Sequence, residues 1–191
     1  KIENYSGVRL PLDYAVNSKI VGAFLNGKLA AGYMLVTSPK FRSLMFVSDE
    51  IRKNDAFFKN DEYEMMEVNG LGIGPSLKKP SLQIRVCMNL IKDIFFARKK
   101  FVLLMRNSRN LNMERFLNMA NPTNIYEGQP SILGSQKTHD SIQVSYTSRW
   151  SIVLNIHKYL LELRSRQSRA AKFVSRQNYT RSSDRDSAEL A

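Results

Sequence analysis

The stretch MEVNGLGIGPSLKKPSLQIRVCMNLI, residues 66–91, decides how the chain is read. It places Gly70, Gly72 and Gly74, then Lys78 and Lys79, ahead of an apolar pattern with helical spacing. Glycines and lysines at the start of a helix suggest a grip on phosphate, because the first amides of a helix have no partner inside it. Two familiar phosphate loops fail on spacing. A dinucleotide fingerprint needs a third glycine three residues after the second, where the chain has Pro75 or Leu77. A P-loop needs a glycine five residues after the first, where the chain has Pro75, Leu77 or Lys79. The glycines equally suit a bulge or a close backbone approach within a strand.

Outward from this stretch, residues 63–73 read as a strand and residues 81–99 as the longest helix. Leu82, Val86, Leu90 and Ile94 recur every four residues, with Cys87, Ile91 and Phe95 beside them. Pro80 suits the first helical turn, and Arg98-Lys99-Lys100 suits the negative end of the helix dipole. Upstream, residues 20–37 form two β-prone runs around Asn26-Gly27, a strong hairpin signal. Residues 43–59 suggest one short helix. Downstream, the apolar run 101–105 reads as a strand buried on both faces, and 110–119 as a shorter helix. NIYEG (124–128) and the alternating SIQVSYT (141–147) add strands, and 150–163 returns to helical spacing. The order predicts an α/β fold: a mixed, mostly antiparallel central sheet with flanking helices.

The 191 residues suit one domain over 1–163, followed by a basic tail at 164–191 that is nearly aperiodic and expected to be disordered. The net charge is +12. The tail holds seven Lys/Arg against three Asp/Glu, so most of the excess belongs to the rest of the chain. That balance points to nucleic acid, an anionic membrane, a phosphorylated ligand or an acidic carrier protein. No apolar run is long enough for a transmembrane helix. The opening KIENYSGVRL has neither an initiator Met nor a signal-peptide core, as expected of a fragment that could lack upstream elements. Cys87 is the only cysteine, which excludes a disulfide framework and a thiolate metal site, and a reducing cytoplasm is the expected compartment. Cys87 itself is expected to be a small buried hydrophobe.

With these elements placed, the succession resembles the GCN5-related N-acetyltransferase (GNAT) superfamily. EVNGLGIGPSLKK (67–79) resembles its strand-then-proline signature, with Leu71 and Ile73 at the apolar positions and Pro75 opening the loop. FVLLMRNSRNLNMERFL (101–117) resembles the following strand and helix, and Asn110 is the best match for an asparagine the family carries there. The resemblance spans roughly residues 20–147. It implies an acyl-coenzyme A acyltransferase fold, with acetyl-CoA or another acyl thioester as donor, no metal, and a small-molecule amine as acceptor. The family's loop reads Arg/Gln, two residues, Gly, one residue, Gly/Ala; the matching positions here are Lys78, Ser81 and Gln83, so both glycines are replaced. Donor phosphates would then meet Lys78, Lys79 and the amides of Ser81 and Leu82. Leu117 stands where many members carry a tyrosine general acid. The resemblance makes Glu67, on the central strand, a candidate general base acting directly or through water; a solvent-facing carboxylate is the equal alternative. Tyr126 and His139 are candidate proton donors, and His157 is expected to be merely exposed.

Three functions from different classes follow. The first is acyl transfer from a CoA or acyl-carrier-protein thioester to an amine. N-acyl amino acid synthases share the fold and use the acidic carrier protein, which a basic chain would attract and which brings no adenosine pyrophosphate to the altered loop. The second is a GNAT-fold ligand-binding or structural module without catalysis. The third, nucleic-acid binding, rests on charge alone, because no helix-turn-helix, zinc-finger or RNA-binding motif accompanies it.

Overall fold

A computed structural model of the chain describes residues 12–74, 77, 79–107, 111–129 and 141–165. Helix α1 (Leu12–Val16) leads into the hairpin of β1 (Ser18–Leu25) and β2 (Lys28–Val36). Asn26 and Gly27 turn it with φ of 51° and 73°, the left-handed pair a two-residue hairpin loop needs. After α2 (Asp49–Asn54) come β3 (Met65–Ile73), α3 (Pro80–Phe96), β4 (Phe101–Asn107), α4 (Leu111–Asn118), β5 (Thr123–Gly128) and β6 (Ile142–Ser148). Helix α5 (Arg149–Leu154) and a further helical stretch over residues 156–165 follow.

The six strands form one sheet in the order β1-β2-β3-β4-β6-β5. Every neighbouring pair is antiparallel except β3 and β4, the two that α3 connects. This is the mixed, mostly antiparallel sheet the sequence predicts. Alternation along the strands sorts the core into two layers. Tyr33, Leu35, Met66, Val68, Val102 and Leu104 pack with Val86, Leu90, Ile91 and Ile94 of α3. Met34, Val36, Met65, Leu103 and Val144 face the other way, under Tyr14, Phe41, Leu44, Val47 and Phe57. Cys87 is buried, as expected.

Several boundaries differ from the sequence reading for local reasons. Residues 43–59 are not one helix: 3₁₀ turns at Ser43–Phe46 and Ala56–Lys59 flank α2. The side chains of Ser48 and Asp55 accept from Ile51 N and Phe57 N, so each starts a new turn instead of continuing the old one. Helix α3 ends at Phe96, and Arg98 at φ 56° leaves the basic triplet outside it. The last helix is interrupted at Asn155 and continues to residue 165, two residues into the segment read as a tail. Residues 166–191 lie outside the described residues.

Asp93 ties α3 to the hairpin, accepting from Tyr33 Oη at 2.9 Å and pairing with Lys19 Nζ at 2.7 Å. The Lys19 side chain is largely exposed, so that pair contributes little. Tyr33→Phe is expected to cost about 1 kcal/mol and Lys19→Ala about 0.5 kcal/mol or less, read as denaturation midpoints. Equal losses would show that the exposed ion pair holds the helix.

Candidate functional site

Parallel strands joined by a helix leave their carboxyl ends side by side, and here those ends separate. β3 and β4 pair only from Met65–Phe101 to Val68–Leu104. β3 continues from Asn69 to Ile73 paired with β2, and β4 continues from Met105 to Asn107 paired with β6. Between the two continuations the facing backbone edges have no ladder, so a gap opens in mid-sheet.

A bulge shapes one wall of that gap. Gly32 pairs with Gly72 and Met34 with Asn69, so Gly70 and Leu71 together oppose Tyr33. Gly70 has φ of 60°, a conformation that a side chain would strain. The extra residue reverses the alternation of β3. Glu67 and Asn69 lie on the Tyr14 face, whereas Leu71 and Ile73 pack with Met66 and Val68 on the α3 face. The strand-bulge reading of the glycines therefore holds for Gly70.

At the base of the gap sits Glu67, 0% exposed. Its alternative as a solvent-facing carboxylate is overturned: the strand presents it to the layer under α1 and the loop at residues 41–44. Ser43 N donates to Oε1 at 2.8 Å, while Arg42 N and Tyr14 Oη each donate to Oε2 at 2.8 Å. Asn69 Nδ2 donates to Tyr14 Oη at 3.2 Å. Burial raises the Glu67 pKa above the usual carboxylate range, outweighing the donors that favour the charged form. The Tyr14 phenol is raised too, first by burial and then by the neighbouring carboxylate. Arg42, 2% exposed, is the cation close to both, and burial lowers its pKa.

The other sequence candidates distribute unevenly. Tyr126 lies half-buried on edge strand β5 and donates to the Gln129 carbonyl at 2.5 Å. Three strand spacings separate β5 from β3, about 14 Å, so the structure does not bring Tyr126 to Glu67. Lys79 is exposed immediately before α3, with Ser81 exposed in its first turn. The amides of Leu82 and Gln83 are turned to the Lys79 carbonyl at 3.1 and 3.3 Å, and Gln83 Nε2 donates to the Leu77 carbonyl at 2.6 Å. The Leu82 amide and the Gln83 side chain thus close the loop on itself. Lys78, Asn110 and His139 lie outside the described residues. His157 is exposed, and Leu117 is a core residue under the sheet. Among the described residues no group of three or more His, Cys, Asp or Glu is placed to hold a metal ion, and no helix is long and apolar enough to cross a membrane.

Tyr14, Arg42, Ser43 and Asn69 escaped the sequence reading. Arg42 alone carried a signal, as a single charge beside the apolar run 44–47.

No protein-family model and no curated protein sequence matches the chain. Solved structures do. FeeM, an N-acyl amino acid synthase from uncultured soil microbes, matches at 7% identity over 79% of this chain and 86% of its own, with a TM-score of 0.54. A probable acetyltransferase from Staphylococcus epidermidis matches at 11% identity over 73% and 72%, with a TM-score of 0.47. The CoA-dependent acyl-homoserine lactone synthase MesI matches at 15% identity over 75% and 69%, also at 0.47. Sheet order, the parting of the two parallel strands and the FeeM match agree: the chain has the GNAT acyltransferase fold.

Proposed function

We propose that the chain transfers an acyl group from a thioester to an amine. The parting of β3 and β4 carries this reading. Unladdered backbone on both walls suits an extended donor arm with amide groups, which pairs like an added strand. Donor phosphates would lie toward the start of α3, near Lys78 and Lys79, with Leu71 and Ile73 packing below the arm and Asn110 following β4. Glu67 is the base of the reaction, drawing the amine proton from the Tyr14 side of the gap. FeeM is an N-acyl amino acid synthase, and an N-acyl amino acid is the kind of product that acyl transfer to an amine gives. With both loop glycines replaced and Leu82 and Gln83 turned inward, the donor favoured is an acyl chain on its carrier protein rather than on CoA.

A second reading, a ligand-binding module without catalysis, draws on Leu117, which is buried where the tyrosine acid would be expected.

Thermal unfolding with acetyl-CoA, a long-chain acyl-CoA and acylated carrier protein, each titrated separately, tests the donor. A ligand held by the folded state at 100 times its Kd adds about 2.7 kcal/mol, which raises Tm by roughly 5–10 °C. Carrier protein is expected to give the largest shift, and Lys79→Glu to reduce it. A shift with CoA thioesters alone would reverse the donor assignment. No shift with any of them would remove the acyl-donor reading.

A further inference from the structure

Glu67 cannot touch an acceptor. It is 0% exposed, and its two oxygens are met by Ser43 N, Arg42 N and Tyr14 Oη, all at 2.8 Å. A base so enclosed works only through a neighbour that can both take and give a proton. Two of the three donors are backbone amides, which cannot do so at neutral pH. The third is a phenol, which can; the Ser43 hydroxyl also lies by the carboxylate, but Ser43 is 0% exposed and is as enclosed as Glu67 itself.

The placement of that phenol is the second observation. Tyr14 Oη spans the end of the β3–β4 ladder. It donates to Glu67, inside the paired segment, and accepts from Asn69, the first β3 residue beyond it. Asn69 occupies one lone pair of the phenol oxygen. Among the described residues nothing else donates to it, which leaves the other lone pair for a group in the gap. Tyr14 is 7% exposed, so little solvent reaches it.

Building on the acyl-transfer reading above, we propose that Tyr14 is a catalytic residue that takes the proton of the attacking amine while handing its own to Glu67. The acceptor arrives as the neutral amine, having lost its ammonium proton to solvent. Its nitrogen attacks the thioester carbonyl carbon, and the C–N bond forms. One N–H proton moves to Tyr14 Oη as the Tyr14 proton moves to Glu67 Oε2. The carbonyl re-forms, the C–S bond breaks with its electron pair on sulfur, and the thiolate leaves. Glu67 returns its proton through Tyr14 to the thiolate or to water. The phenol is never a free phenolate, in keeping with the burial and the adjacent carboxylate that oppose its ionisation. Asn69 holds the oxygen in line. Among the described residues, Arg42 is the charged group besides Glu67 that acts on this pair, and it favours the ionised carboxylate that the transfer needs.

The test uses the full chain with acetyl-CoA, palmitoyl-CoA and palmitoylated carrier protein as donors. The twenty amino acids serve as acceptors, and thiol release is followed against pH. In the wild type, kcat is expected to rise with pH as Glu67 loses its proton, above the ordinary carboxylate range. Tyr14→Phe should lower kcat about 100-fold or more with the donor KM unchanged. Replacing Tyr14 by 3-fluorotyrosine keeps the shape and both hydrogen bonds, and guards against a phenylalanine variant that fails to fold. Its more acidic phenol stabilises the Glu67 carboxylate, so the rising limb should move to lower pH. Turnover by the wild type that survives in Tyr14→Phe, or a limb that the fluorinated protein leaves in place, would overturn the role of Tyr14 and leave acyl transfer standing. No turnover by the wild type with any donor and acceptor would overturn both.

Discussion

Glu67→Ala is expected to lower Tm by on the order of 10 °C, the largest effect of any single truncation at this site. Removing a fully buried carboxylate strands three donors, Tyr14 Oη and the amides of Arg42 and Ser43, and takes a neighbouring anion from the buried Arg42. Breaking a buried charged cluster from one side costs about 3–5 kcal/mol, and each kcal/mol is worth roughly 2–4 °C in a chain of this size. Glu67→Gln keeps the shape and one acceptor oxygen, which can still serve Tyr14 and Arg42. Its amide group then faces the Ser43 N–H, donor against donor, at a cost of about 1–3 kcal/mol. The pH dependence has a definite sign. Burial raises the Glu67 pKa in the folded state, so its contribution is fullest below its unfolded value of about 4.3 and is lost as pH rises through the raised folded value. The Tm gap between wild type and Glu67→Gln should therefore narrow from pH 4 toward pH 8. Melting curves of the three proteins across that range decide it; an alanine variant within 1–2 °C of wild type would mean that the loop at 41–44 does not depend on Glu67.

Gly70→Val is expected to cost about 2–3 kcal/mol and to abolish donor binding. The residue sits at φ 60°, where a β-branched side chain is strained by its own backbone. Escape from that strain requires losing the bulge, and a one-residue change of register turns the rest of β3 over. Leu71 and Ile73 would leave the α3 layer, and one wall of the gap would be rebuilt. Asn visits the left-handed region readily and Ala less so, so stability should fall in the order Gly70, Asn, Ala, Val. Denaturation midpoints of the four proteins, with carrier-protein titrations on each, test the ranking. A valine variant as stable as the parent would show that the bulge is dispensable.

Elements set by near neighbours were legible in the chain. Asn26-Gly27 turns the hairpin because both residues accept positive φ, and α3 follows from apolar spacing behind Pro80. The parallel pair, with the helix returning between its strands, was implied by two apolar runs flanking that helix. Glu67 was legible as a candidate base through the resemblance, which puts a carboxylate on the central strand near the acyl site. Its partners were not. Tyr14 meets it from 53 residues away, and Arg42 and Ser43 from 25 and 24. Neither spacing nor composition encodes contacts of that range.

The glycine stretch divides in the same way. That Gly70 permits a bulge is a property of the residue, readable from its missing Cβ. That the bulge begins two residues past the last β3–β4 pair, leaving Asn69 toward Tyr14 and Leu71 toward α3, depends on how three strands register. By itself the sequence determined the strands, the long helix, the hairpin and hence the fold, because dihedral preference and apolar periodicity act over a few residues. The tertiary structure alone decided which buried groups meet Glu67 and where the sheet opens, because those depend on packing between segments that the chain keeps far apart.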